Sequence, residues 1–167
     1  MTPIVKAFFD EPTFTVTYVV SDPATKACAI IDSVLDFDPA SGRTAHTAAD
    51  QVIAYVQAEK LKVAWILETH AHADHLTASV YLKEKLGGQV AIGAHITDVQ
   101  KAFTKIFNLG PEFAIDGRQF DRLFKDGDTF KIGELNGRVM HTPGHTPACI
   151  VYVIEDAAFV GDTMFMP

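Results

Sequence analysis

A short cluster of candidate metal ligands, placed directly after an apolar segment, constrains this chain more than any other feature. Val63-Ala64-Trp65-Ile66-Leu67 is short and continuously apolar, which predicts a strand buried on both faces. His70, His72, Asp74 and His75 follow within six residues. A turn at the end of a rigid strand can aim several side chains at one point. Imidazole nitrogens and carboxylate oxygens are ligands of zinc and non-haem iron, so we expect a metal site rather than a solvated polar loop.

Two later segments place similar residues just beyond predicted strands. In residues 141–147 a Pro-Gly pair predicts a tight turn that presents His145. Asp162 follows another apolar run. Three ligand sets at three strand ends predict one edge of the fold lined with metal ligands. The remaining histidines are interpreted as surface, structural or packing residues: His46, His95 and His141.

Composition and charge favour a globular enzyme over a nucleic-acid binder. The chain has 167 residues, of which 48% are hydrophobic and 21% charged, so it can bury one substantial core, and we expect one domain over residues 1–167. Its net charge is −7 and its basic residues are scattered, which argues against a nucleic-acid surface and favours a small-molecule substrate. The first residues lack the pattern of a secretion signal and no apolar run is long enough to cross a membrane, so we predict a cytoplasmic protein.

The two cysteines, Cys28 and Cys149, lie far apart in the sequence, and each lies in an apolar run. This spacing argues against a disulfide framework and against a cysteine-rich zinc site. We predict that both are buried and reduced.

Hydrophobic periodicity and turn residues predict alternating helices and strands, followed by a β-rich region. The predicted helices cover residues 44–60, 76–86 and 96–106. The predicted strands cover residues 13–20, 26–31, 63–67, 89–92, 134–140, 149–154 and 157–160, and the first two form a hairpin. The segment with Asp36, Asp38 and Arg43 is predicted to be a solvated loop that leads into the first helix.

The combined pattern resembles the metallo-β-lactamase superfamily. Thr-His-x-His-x-Asp-His occupies residues 69–75, Thr-Pro-Gly-His-Thr occupies 142–146, and Gly-Asp-Thr occupies 161–163. Asp32 also falls where that family keeps an acidic residue behind the metal loop. The resemblance therefore covers essentially the whole chain. It implies an α/β sandwich of αββα type with the metal at one edge of the two sheets, and it implies that Asp32 orients a ligand by hydrogen bonding.

Members of this superfamily normally continue beyond the Gly-Asp-Thr segment with more strands, a later histidine and much of the substrate pocket. We therefore expect this chain to be the N-terminal part of the family domain, incomplete at Pro167. Either the chain is truncated or a second, C-terminal polypeptide completes it, and a homo-oligomer is the other expected partner.

Within the superfamily, residues 68–78 resemble persulfide dioxygenases, and residues 36–44 resemble the bacterial β-lactamase-hydrolase-like branch. The resemblance implies one Fe(II) held by His70, His145 and Asp162, with open positions for substrate sulfur and oxygen. The implied reaction converts glutathione persulfide and O2 to sulfite and glutathione. The resemblance also implies hydrogen-bonding roles around the iron for His72, Asp74 and His75.

Two alternatives remain open. In a glyoxalase II-like thioesterase or a lactonase, the same six residues would hold two Zn²⁺ ions, with Asp162 bridging them and zinc activating a bound water. Such an enzyme would hydrolyse a thioester or lactone without consuming oxygen. The other alternative is an inactive fragment that merely retains a metal site.

Overall fold

The computed structural model describes residues 2–165, which form three sheets and three α-helices. The strands are β1 Ile4–Asp10, β2 Thr15–Ser21, β3 Ala27–Ile31, β4 Val34–Asp38, β5 Arg43–Ala45, β6 Lys62–Leu67, β7 Leu76–Thr77, β8 Gln89–Gly93, β9 Arg122–Phe124, β10 Thr129–Ile132, β11 Leu135–His141, β12 Ile150–Ile154 and β13 Ala157–Phe159. The helices are α1 Thr47–Ala58, α2 Ser79–Leu86 and α3 Ile96–Ile106, and a short 3-10 turn covers Gly161–Thr163.

The first sheet has the strand order β1-β2-β3-β6-β8-β9, and its last four strands run parallel. Helices α1, α2 and α3 lie in the connections between these parallel strands, which need long crossovers. Val52 of α1 and Leu82 of α2 pack with Ile30 and Ile66 of the sheet in one buried cluster. Because the strands are parallel, the carboxyl ends of β3 and β6 lie at the same edge, where the ligand-rich loop begins.

The second sheet, β10-β11-β12-β13, is antiparallel throughout. Its inner face packs on the first sheet, and Leu67, Phe130 and Tyr152 belong to the core between them. Strands β11 and β13 are both antiparallel to β12, so their carboxyl ends lie at one edge. The Ile150 N–H donates to the Thr69 carbonyl at 3.0 Å, which brings that edge to the end of β6.

The predicted α/β sandwich is confirmed for residues 2–165, which form successive layers of helices, a mixed sheet and an antiparallel sheet. The third sheet, β5-β4-β7, is small and lies beside helix α1. No helix of the described residues is long and apolar enough to cross a lipid bilayer.

Most predicted elements are confirmed to within two residues. Helix α3 has the predicted bounds, and the predicted hairpin is β2 and β3. Both cysteines are buried and free, at 0% exposure for Cys28 and 2% for Cys149. Strand β6 differs from its prediction, because only its carboxyl-terminal residues Ile66 and Leu67 are fully buried.

The predictions for residues 36–45 and 76–78 were wrong. Residues 36–38 and 43–45 form a hairpin of β4 and β5 rather than a solvated loop, so helix α1 begins at Thr47 and not at residue 44. Residues 76–77 pair with β4, so helix α2 begins at Ser79. In both places hydrogen bonding to a partner strand outweighs the helical periodicity, and periodicity carries no information about partners.

Candidate metal centre

His70 follows β6, and only 1% of this residue is exposed. The Thr69 hydroxyl donates to Asp32 Oδ2 at 2.8 Å, so it accepts the Nδ1–H of His70, 3.0 Å away. The Nε2 of His70 is therefore unprotonated, and it has no hydrogen-bond partner among the described residues. Burial, with the nearby charge of His72, lowers the pKa of His70 to about 4, so the imidazole is neutral near pH 7. A buried, neutral and unpartnered imidazole nitrogen is suited to binding a metal ion.

His145 and Asp162 approach this nitrogen from the second sheet. His145 lies in the loop after β11, and Asp162 lies in the 3-10 turn after β13. Asp162 Oδ2 is 3.8 Å from His70 Nε2 and 3.4 Å from His145 Nε2. The side chains of His145 and Asp162 are 39% and 34% exposed, so this side of the cluster is open to solvent.

The spacing of these three residues fits a single ion. Their ligand atoms all lie within 4.8 Å of one another. Two donor atoms that are each about 2.1 Å from one ion lie roughly 3.0–3.5 Å apart at octahedral or tetrahedral angles. The observed separations are close to this range, and small side-chain rotations reach it. The structure thus brings together the three residues that the sequence motifs grouped: His70, His145 and Asp162.

The Nε2 of His72 faces two buried carboxylates, at 3.1 Å from Asp32 Oδ1 and 3.3 Å from Glu68 Oε2. Burial opposes a charge on His72, but the hydrogen bonds with Asp32 and Glu68 raise its pKa to about 10. Burial alone would raise the pKa of Asp32, but the hydrogen bonds from His72 and Thr69 outweigh burial and lower it. At Glu68 burial dominates and raises the pKa. His72 therefore keeps its Nε2 proton between carboxylates and can offer an ion only its Nδ1 atom.

Glu68 has no role in the sequence analysis, yet it is 2% exposed and lies beneath the cluster. Its Oε1 accepts a hydrogen bond from the Thr77 hydroxyl, and its carbonyl accepts one from the Tyr152 hydroxyl at 3.0 Å. The sequence does carry a signal for it, because a carboxylate directly after an apolar strand is at a position where burial is expected and charge is unusual.

Asp74 and His75 form a second candidate ligand group together with His72, with ligand atoms within 4.8 Å. The Nδ1–H of His75 donates to the Leu76 carbonyl at 3.0 Å, and His75 Nε2 is buried without a partner among the described residues. Asp74 is exposed, with the Thr15 hydroxyl 3.5 Å from its Oδ2. The arrangement is thus compatible with one ion or with two.

Close contacts fix the turn that carries Asp162. Gly161 has a φ of 49°, and a Cβ at this position would collide with the Thr69 hydroxyl and lie 2.8 Å from Thr69 Cβ. The hydroxyls of Thr142 and Thr163 are 2.9 Å apart and link the loop after β11 to the turn after β13. The second sheet can approach the end of β6 this closely only because residue 161 lacks a side chain.

The other three histidines lie outside both ligand groups. His46 stacks on Tyr81, with ring centroids 3.9 Å apart. His95 is stacked on His141 at 4.3 Å, and the Nε2–H of His141 donates to the Pro147 carbonyl at 2.9 Å. These surface and packing contacts agree with the interpretation from the sequence.

Comparison with known proteins finds relatives along the whole chain. A family profile described as "Metallo-beta-lactamase superfamily" matches residues 10–167. A "Probable metallo-hydrolase" of Burkholderia pseudomallei is 56% identical over 98% of this chain and 59% of its own length. A "Beta-lactamase hydrolase-like protein" of Xylella fastidiosa is 54% identical over 99% of this chain and 38% of its own length. The human "Persulfide dioxygenase ETHE1, mitochondrial" is 25% identical over 98% of this chain and 53% of its own length.

Among solved structures, the crystal structure of ETHE1 from Myxococcus xanthus matches with a TM-score of 0.76 and 27% identity. The match covers 98% of this chain and 59% of that chain. The chain therefore spans between 38% and 59% of the length of these relatives.

Proposed function

Because the chain belongs to the metallo-beta-lactamase superfamily, as its match over residues 10–167 establishes, we propose that it contributes the metal centre of an enzyme. The resemblance inferred from the sequence motifs is thereby confirmed for the superfamily. Within the superfamily, we propose persulfide dioxygenase activity at a single Fe(II) ion. The proposed ligands are His70, His145 and Asp162.

One observation carries this proposal: the imidazole of His145 and the carboxylate of Asp162 lie beside the buried, unpartnered Nε2 of His70, so two imidazoles and one carboxylate surround one point. Two histidines and a carboxylate on one face of an ion are the ligand set of many non-haem Fe(II) oxygenases, because three positions stay open for substrate and O2. The similarity to the human persulfide dioxygenase supports the same assignment.

The residues of this chain prepare the centre in distinct ways. Thr69 and Asp32 keep the Nδ1 of His70 protonated, so its Nε2 lone pair would be free to bind the ion. The second sheet supplies the remaining two ligands on the solvent side, where a substrate can approach. When bound, Fe(II) supplies the redox activation of O2 and of the persulfide sulfur.

The proposed overall reaction is balanced without a further reductant. Glutathione persulfide, O2 and water give glutathione and sulfurous acid, which ionises to sulfite. The terminal sulfur is oxidised, its bond to the glutathione sulfur breaks, and the glutathione sulfur leaves as a thiol. All three reactants are small molecules.

A glyoxalase II-like zinc hydrolase is the second candidate, and a specific observation favours it. His75 Nε2 is buried and unpartnered beside His72 and Asp74, which is the arrangement expected if a second ion binds there. The descriptions of the Burkholderia pseudomallei and Xylella fastidiosa relatives, which are 56% and 54% identical, also refer to hydrolases. In that case zinc would lower the pKa of a bound water that attacks a thioester carbonyl.

The two candidates are separated by metal content and by the co-substrate consumed. Protein purified without oxygen is loaded with Fe(II), and oxygen uptake and sulfite formation are measured with glutathione persulfide. We expect one iron per chain and oxygen uptake that matches sulfite formation. His145→Ala should lose iron and activity together, whereas His46→Ala, a control histidine outside both ligand groups, should retain both.

Fully iron-loaded protein that consumes no oxygen with glutathione persulfide contradicts the dioxygenase proposal. Two zinc ions per chain, with hydrolysis of a glutathione thioester and no oxygen uptake, would establish the hydrolase instead. Absence of stoichiometric metal under either loading condition contradicts both candidates.

A further inference from the structure

Cys149 lies at the end of the loop that carries His145, and only 2% of it is exposed. Its Sγ accepts the backbone N–H of Thr146 at 3.2 Å and lies 3.1 Å from the Thr146 hydroxyl. Thr146 is the residue directly after His145. The sulfur therefore contacts the loop one residue from the proposed ligand.

We propose that Cys149 is a positioning residue for the metal centre, whose sulfur holds the loop that presents His145. This inference rests on the proposed role of His145 as a ligand. It concerns the hydrogen-bond acceptor capacity of the sulfur, and it requires no oxidation or metal binding by the thiol.

The loop depends on this sulfur because the backbone–backbone hydrogen bonds at its centre are long, and the other short contact there, from the Ala148 N–H to the Thr146 hydroxyl at 3.1 Å, also runs through Thr146. At the base, the Thr142 N–H donates to the Cys149 carbonyl at 2.9 Å. Farther out, the N–H groups of Gly144 and Cys149 reach the Thr146 carbonyl only at 3.3 Å and 3.4 Å, beyond the usual range for backbone hydrogen bonds. The contacts of Thr146 with the sulfur are thus a principal restraint in the centre of the loop.

His145 needs such a restraint from its loop because its side chain is exposed. Its side chain is 39% exposed, so core packing does not fix its direction, whereas His70 is enclosed by the protein. Groups that orient metal ligands typically change metal affinity by ~10–100-fold when removed. We expect an effect of that size from loss of the acceptor at residue 149.

Two substitutions separate hydrogen bonding from space filling. Alanine and serine at residue 149 have similar volumes, both below that of cysteine, and differ in that serine keeps an acceptor for the Thr146 N–H. Cys28→Ala is the matched control, because it removes the other buried thiol, which packs between the first sheet and helices α1 and α2. The apparent Zn²⁺ affinity is measured by competition with a chromogenic chelator, and the thermal unfolding midpoint of the metal-free protein is measured in parallel.

Cys149→Ala should bind Zn²⁺ ~10–100-fold more weakly than wild type, Cys149→Ser should recover most of the affinity, and Cys28→Ala should stay within about twofold. Cys28→Ala should nevertheless lower the unfolding midpoint, since a buried side chain is lost. If Cys149→Ala does not fold, Cys149→Val, which also lacks an acceptor, takes its place in the comparison with serine.

Equal losses of affinity in the serine and alanine variants would overturn the proposal, because the sulfur would then only fill space. Affinity of Cys149→Ala within twofold of the Cys28→Ala control would also overturn it. Wild-type protein that binds no Zn²⁺ would instead refute the ligand assignment itself, so the two failures are distinguishable.

Discussion

The two sides of the metal cluster are held in different ways. On one side, His70 is 1% exposed and is connected through Thr69 to the buried carboxylate of Asp32. On the other side, His145 and Asp162 lie on connections after antiparallel strands, and more than a third of each side chain is exposed. We refer to the first as the buried side and to the second as the loop side.

Because of this difference, we expect the two sides to affect different properties, namely the stability of the metal-free protein and its affinity for metal. The buried side is part of the fold, so changes there should reduce the stability of the metal-free protein. The loop side has few buried contacts, so changes there should reduce metal affinity while the metal-free protein remains nearly as stable. A change on one side can therefore be compared with a matched change elsewhere in the chain.

The largest expected effect on stability comes from Asp32→Ala. This change removes the buried acceptor of the Thr69 N–H and the Thr69 hydroxyl and one of the two carboxylates beside His72, and removing one partner from such a buried pair costs roughly 3–5 kcal/mol. Asp38→Ala is the control, because the exposed Asp38 side chain bonds only within its turn, and it should cost far less. Urea unfolding of the metal-free variants measures both, and similar losses would contradict the importance of the buried side.

The second comparison is His70→Ala against His145→Ala. Both should abolish stoichiometric metal binding, because each removes one proposed ligand. In the metal-free protein, His70→Ala should cost about 2 kcal/mol, since it empties a buried position, and His145→Ala should cost about 0.5 kcal/mol or less. Equal unfolding free energies for the two variants would eliminate the distinction between the two sides.

A third comparison tests where the two sides touch. Gly161 and Gly127 both have positive φ, at 49° and 78°, but a Cβ would meet Thr69 at residue 161 and nothing within 4 Å at residue 127. Both alanine variants should be destabilised by about 1–2 kcal/mol from backbone strain. Only Gly161→Ala should also weaken metal binding, because the added Cβ displaces the turn with Asp162. Each 1.4 kcal/mol of binding free energy lost in this way lowers the affinity roughly tenfold. Unchanged affinity in Gly161→Ala would show that the close contact is not needed.

The last comparison concerns the pH dependence of the metal-free protein. The pKa of His70 falls from 6.5 to about 4 on folding because of burial, so below pH 6.5 the unfolded chain binds a proton that the folded chain does not. Stability should therefore decrease as pH falls from 6.5 toward 4. The pKa of His72 is raised to about 10 despite burial, so the folded state holds the extra proton above pH 6.5 and stability should decrease as pH rises toward 10.

Urea titrations between pH 5 and 9 measure both limbs of this profile, and His70→Ala should flatten the acid limb alone. His46→Ala is the control, and its acid limb should match that of wild type. An unchanged acid limb in His70→Ala would show that His70 is not the group responsible.

The candidate ligands could be recognised in the sequence because their motifs are local and each follows an apolar strand, and their role as ligands stays a prediction. His70, His145 and Asp162 could be grouped through the spacing within each motif and the family resemblance, and the structure brings them together. Helix α3 was also predicted to the residue, since its apolar stripe is regular.

Other features depend on pairing that no local pattern records. The hairpin of residues 34–45 and the short strand at 76–77 exist because β4 accepts a strand on each side. His72 lies between the carboxylates of Asp32 and Glu68. These two residues are 36 positions apart in the sequence and meet because β3 and β6 pair in parallel. Asp32 also has a φ of 51°, which its residue type permits but does not specify.

The central claim, that the buried side and the loop side grip one cation, is tested most directly by anomalous diffraction from a crystal loaded with Fe(II) under anaerobic conditions. The expected result is one peak within about 2.0–2.3 Å of His70 Nε2, His145 Nε2 and an oxygen of Asp162. A peak between Asp32, Glu68 and His72, or one that contacts only the loop side, would contradict the claim.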